Sequence, residues 1–111
     1  MEYTVTHNRQ QQIRRMVSFE DQVELVTTDY TPWVDSNGSV TVVTVTVKSG
    51  SATVANESLA ASVHTMTVST QQTGSSVIQL KATAGNNVHV SNICILTKDP
   101  NYPVYDYGYY I

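Results

Sequence analysis

The side chains able to do acid–base, nucleophilic or metal chemistry are few and scattered along this chain. His7, His64 and His89 lie far apart, and the last two fall in strand-like segments, where a partly buried or cross-strand histidine is the ordinary reading. No Gly-x-Ser-x-Gly elbow is present to raise a serine nucleophile, and no glycine-rich stretch precedes a helix to cradle phosphate. Asp35-Ser36-Asn37-Gly38 has the flavour of a calcium loop. Its glycine comes two positions too early and no Glu stands at the twelfth position, so it reads as a turn. The single cysteine, Cys94, closes no internal disulfide and builds no Cys-rich zinc site; within an apolar strand it is expected to be buried and inert. These absences point away from an enzyme and from any metal or other cofactor.

The elements that would position such residues are strands. The 111 residues include 17 Val, 15 Thr and 5 Ile, a third of the chain, against four Leu. Stiff β-branched side chains suit a pleated, half-buried surface. Charged residues are 14% of the chain, below the roughly 25% usual for soluble domains, and the formal charge is −3. No apolar run approaches the ~18 residues of a membrane-spanning helix, so membrane insertion is not expected. Met1-Glu2-Tyr3-Thr4 lacks the basic and apolar regions of a secretory leader, so Asn37-Gly38-Ser39 and Asn56-Glu57-Ser58 are not expected to be glycosylated.

Alternation predicts strands over Val23–Thr28, Ser39–Lys48, Ala52–Ala55, Val63–Thr70, Ser76–Ala84 and Val88–Thr97. The inward parity changes between Val42 and Val43, which predicts a bulge or a change of sheet. Met66 and Val68 share one face of their strand, as do Ile78, Leu80 and Ala82 of theirs, while the run Ile93-Cys94-Ile95-Leu96 suggests a strand covered on both faces. Asn56 to Ser62 is expected to form one helical turn capped by Asn56. Pro32 breaks the ladder, so Trp33 is expected to fold back over the core together with Val45, Ile78, Leu80 and Ile95. The count and spacing predict an all-β, immunoglobulin-like antiparallel β-sandwich of six or seven strands over residues 21–98.

The two ends are different, and both are expected to be extended arms. Residues 1–20 form a polar N-terminal arm carrying Arg9, Arg14 and Arg15, half of the chain's positive charge. Three cations in an acidic chain suit an acidic protein surface better than nucleic acid. Residues 99–111 form a C-terminal arm holding Tyr102, Tyr105, Tyr107, Tyr109 and Tyr110, five of the seven tyrosines. Tyr offers large contact area at low entropic cost and is enriched at interfaces, so these eight arm residues are the candidate partner-binding set.

The segment Val23 to Val34 ends in Asp29-Tyr30-Thr31-Pro32-Trp33-Val34: Asp, aromatic, two residues, Trp, aliphatic. With the Thr/Val-rich strand after it, Ser49-Gly50, Ala52-Thr53-Val54-Ala55, and the later Gly74 to Thr83, it resembles small immunoglobulin-like virion proteins of tailed bacteriophages. The resemblance covers about residues 21–98 and does not extend into either arm. It implies a non-enzymatic accessory part of the virion, either a capsid decoration protein or a tail fibre or adaptor component. Its partners would be major capsid or tail proteins and further copies of the chain, with no nucleic acid and no membrane. Two other readings stay open: a module binding carbohydrate or a cell surface through Trp33, loop Asn and Asp residues and the tail tyrosines, and a small enzyme or regulator.

Overall fold

The computed structural model describes residues 1–5, 11–34 and 38–99. They form eight strands: β1 (Glu2–Thr4), β2 (Gln11–Phe19), β3 (Val23–Asp29), β4 (Val40–Ser49), β5 (Ala52–Ala60), β6 (Val63–Thr70), β7 (Gly74–Ala84) and β8 (Asn87–Lys98). A single helical turn, α1 (Thr31–Val34), lies between β3 and β4. The strands make two four-stranded sheets in the orders β1-β3-β6-β5 and β2-β8-β7-β4. This is an all-β sandwich, and the two orders correspond to the ABED and CFG sheets of an immunoglobulin-like domain with one strand added beside G. No helix among the described residues is long and apolar enough to cross a membrane.

Of the segment expected as an N-terminal arm, residues 2–4 and 11–19 pair with the sheets as β1 and β2. β1 lies parallel to β3, with Tyr3 opposite Thr28, and β2 lies parallel to β8 over nine positions, from Gln11–Val90 to Phe19–Lys98. Over residues 21–98 the sandwich has six strands, β3 to β8, all paired antiparallel as expected, and β1 and β2 add one parallel strand to each sheet. The physical reason is the pair of edges that β3 and β8 would otherwise leave open, with unpaired N–H and C=O groups that the N-terminal segment satisfies in turn. The chain then returns to the first sheet through a turn in which Gln22 N donates to Phe19 O (3.0 Å) and Asp21 N to Thr70 O (2.8 Å).

The alternation in the central strands is as expected. Met66 and Val68 of β6, Ile78, Leu80 and Ala82 of β7, and Ile93 and Ile95 of β8 all point inward and are buried. The phase change in β4 is a bulge: the register with β7 shifts between Val40 and Val42, so Val40 faces the core and Val42 faces solvent. Where a helical turn is expected at 56–62, residues 56–60 are instead the second half of β5 and residues 61–62 turn the chain into β6. Asn56 takes φ 54° and the register with β6 shifts between Ala55 and Ser58, a bulge stitched by Asn56 Nδ2 donating to Thr67 Oγ1 at 3.2 Å. Pairing with β6 overrides the local helical preference.

The core is also divided where one cluster was expected. Val26, Met66, Val68, Ile78, Leu80, Ile93 and Ile95 form one group, with Val45 packed against it. Trp33 belongs to a second, with Val5, Tyr30, Val40, Ala82 and Ala84. Trp33 is carried there by α1, whose start is set by Asp29 Oδ1 accepting from Thr31 N at 2.9 Å and by Pro32, which needs no donor in a first turn.

Candidate interaction surface

Period-two pleating decides what each sheet shows to solvent, and both show apolar side chains, Val23 and Leu25 on β3 among them. In β2 the inward positions are Arg14, Met16 and Ser18, while Ile13, Arg15 and Val17 point outward. Ile13 and Val17 are 56% and 54% exposed. The register sets Arg15 beside Cys94 and Val17 beside Leu96 on β8, and Cys94 in turn beside Val77 on β7. Cys94, Leu96 and Val77 are all half-buried. An apolar strip thus crosses three strands, and β2 has no further strand on its outer side among the described residues. Cys94 is accordingly not the fully buried thiol expected from its apolar run; it sits on the outward parity of β8.

Charge divides the two sheets. The strands of the β2-β8-β7-β4 sheet carry Arg14, Arg15, Lys48, Lys81 and Lys98, five of the six Lys and Arg, and no Asp or Glu. Those of the β1-β3-β6-β5 sheet carry Glu2, Glu24, Asp29 and Glu57 and no Lys or Arg. A chain of net charge −3 therefore offers one sheet whose strands hold only cations, around exposed Ile13 and Val17.

Of the candidate partner-binding residues, Arg15 lies in this face. Arg14 does not: it is 3% exposed, facing the interior under the Tyr3 ring, with Cζ 4.8 Å from the ring centroid. The reading of Arg14 as a docking cation is corrected on that ground. Arg9, Tyr102, Tyr105, Tyr107, Tyr109 and Tyr110 lie outside the described residues, as do His7 and Asp35. Trp33, a candidate sugar platform, is buried in the second cluster.

Around Arg14 the interior holds a polar layer that apolar alternation did not reveal. Thr28 and Tyr30 of the β3 side, His89 and Ser91 of β8, and Arg14 of β2 are all buried. His89 stands edge-on to Trp33 and Tyr30, with ring centroids 5.5 and 6.1 Å away. Burial pushes the Tyr30 hydroxyl up to about 12, with Arg14 and Ser91 opposing. Burial pulls the Arg14 guanidinium down, opposed by Tyr30 and Tyr3, and it holds His89 below its ordinary range, with nearby Arg14 adding to the effect. Elsewhere the buried His64 Nε2 meets Glu57 Oε1 at 3.2 Å. No group of three or more His, Cys, Asp or Glu able to hold a metal ion occurs among the described residues.

The His89 shift carries a sign. The unfolded chain takes up a proton near pH 6.5, where the folded chain, with His89 against Trp33, Tyr30 and cationic Arg14, still refuses it. Stability from neutral His89 is full above that pH and is lost as pH falls below it, until the folded group titrates. The thermal midpoint of the parent is expected to fall between pH 7.5 and 5, and that of His89→Leu to fall less. Equal slopes in the two proteins would remove His89 as the cause.

No protein-family model matches the chain, and no curated protein matches it in sequence. Among solved structures it is similar to an endo-fucoidan hydrolase of glycoside hydrolase family 107, at TM-score 0.53 and 12% identity, over 78% of this chain but 13% of that one. A cysteine protease inhibitor from Entamoeba histolytica matches at TM-score 0.46 and 10% identity, covering 85% of this chain and 94% of the inhibitor. Amebosin matches at TM-score 0.42 and 13% identity, over 88% and 99% of the two chains. At such identities the likeness to the hydrolase bears on the sandwich fold alone.

Proposed function

We propose that this chain is a non-enzymatic interaction module that docks through the outer face of the β2-β8-β7-β4 sheet onto an acidic, partly apolar protein surface. The observation that carries the reading is the coincidence on that sheet of exposed Ile13 and Val17 with Arg15, Lys48, Lys81 and Lys98 and no carboxylate on any of its strands. Apolar side chains bracketing a cation supply buried area, while the uniform sign orients the encounter and rejects basic partners. The tyrosine-rich segment 99–111 starts from the same sheet, since β8 ends at Lys98 opposite Phe19.

The resemblance of residues 21–98 narrows the partner to the shell or tail of a tailed-bacteriophage particle. Within a repeated lattice a modest contact gains from many simultaneous ones. The chain is then a capsid decoration protein or a fibre or adaptor component, located in the virion. The test is quantitative mass spectrometry of purified particles combined with co-sedimentation of the isolated chain on particles that lack it. Many copies per particle are expected for decoration and a handful for a tail component. Absence from particles, with no co-sedimentation, sinks the phage assignment, and retained binding to another acidic protein would leave only the docking face standing.

A further inference from the structure

The polar layer around Arg14 has donors and no acceptor of matching charge. Nε, Nη1 and Nη2 of Arg14 are buried without a hydrogen-bond partner, and so are Thr28 Oγ1 and both ring nitrogens of His89, while the Tyr30 and Ser91 hydroxyls are buried close to one another. Arg14 is 3% exposed, and the ring of Tyr3 covers it. A guanidinium stays protonated in proteins, so this is a full positive charge withdrawn from water. No carboxylate oxygen accepts a hydrogen bond from the Arg14 guanidinium. Buried polar groups are almost always satisfied, and an uncompensated buried charge costs several times more than an unmet hydroxyl.

We infer that this layer is a binding site for a small monovalent anion of chloride or formate size, held by the Arg14 guanidinium with the Tyr30, Ser91 and Thr28 hydroxyls as further donors. Each part of the layer fits that ligand. Five N–H donors in a planar fork, joined by hydroxyls that can rotate to donate, make an acceptor's environment, and neutral His89 can add one more N–H. A cation finds nothing there to neutralise it. Large anions and side chains from a partner are excluded because Arg14, Thr28, Tyr30, His89 and Ser91 are all buried. Because Arg14 comes from β2 and Tyr3 from β1, the bound anion pins the N-terminal strands to the interior of the sandwich, a role independent of the docking face.

The test uses the full chain at fixed ionic strength and pH, with gluconate, too large to enter, replaced stepwise by chloride, bromide or formate. The parent's thermal midpoint is expected to rise saturably, on the order of 10 °C at a hundredfold excess over Kd. Arg14→Met, which removes the charge at similar volume, is expected to show no such rise. Crystals grown with bromide are expected to give an anomalous peak within hydrogen-bond reach of the guanidinium. The inference is overturned if parent and Arg14→Met respond alike to the anion series, or if no bromide lies at Arg14. If Arg14→Met does not fold, the bromide position decides alone, and a water in its place counts against the site.

Discussion

Replacing Gly50 by alanine is expected to destabilise the domain by about 2–5 kcal/mol, combining ~1–2 for a left-handed backbone with ~1–3 for overpacking. Gly50 turns the chain from β4 to β5 at φ 88°. A Cβ there would stand 2.2 Å from Ser76 Oγ, 2.5 Å from Ser76 Cα and 2.6 Å from the Ser75 carbonyl oxygen. Two of those three atoms are backbone and cannot swing aside. The turn cannot easily move either: Ser51 N donates to Ser76 Oγ at 3.1 Å, and Ser51 Oγ accepts from the backbone N–H groups of Gln71 and Gln72, both at 3.2 Å. Gly38→Ala supplies the control. Its φ is 85°, but nothing lies within 4 Å of the added carbon, so it should lose only the backbone part. Denaturant titration of both variants separates strain from collision. Equal losses would mean that the β4–β5 turn gives way to Ser76.

What could be read from the sequence follows from how strongly each segment is biased by burial. Ile78, Leu80 and Ala82 alternate with Gln79, Lys81 and Thr83 because one face of β7 is core and the other is not, so the register and its inward set are plain. β2 inverts that rule. Ile13 and Val17 point out and Arg14 points in, so period-two reading of apolar residues finds no strand and takes the segment for a polar arm. The sign that was available is compositional: exposed β-branched residues flanking a paired arginine. The β5–β6 connection was equally hidden. Ala61 and Ser62 both adopt positive φ, 51° and 64°, where a two-residue hairpin turn usually announces itself with Asn and Gly. Ser62 is held there by tertiary contacts, its carbonyl accepting from Tyr30 N at 2.9 Å and its Oγ from Val40 N at 3.3 Å. Of the candidate surface, Arg15 was legible from charge alone. The apolar strip was not, because it exists only once β2, β8 and β7 are placed side by side.

The same juxtaposition makes the sharpest functional expectation. The double substitution Ile13→Thr with Val17→Thr keeps β-branched shapes that suit a strand and removes only apolar surface. Both side chains are more than half exposed, so stability should stay within about 0.5 kcal/mol of the parent. Binding should not. Two apolar anchors at roughly 1–2 kcal/mol each, near the centre of a contact, correspond to a weakening of roughly 30- to 700-fold. Arg15→Glu places a carboxylate between them, opposite Cys94, on a sheet whose strands otherwise carry none. It should slow association with an acidic partner, and by a smaller factor as salt is raised. Circular dichroism establishes the fold of each variant, and co-sedimentation with particles lacking the chain measures its binding. A double variant that folds and binds as tightly as the parent would place the contact elsewhere. The face would then be closed by something other than a partner, and the docking reading would fail even if the chain proved abundant in the particle.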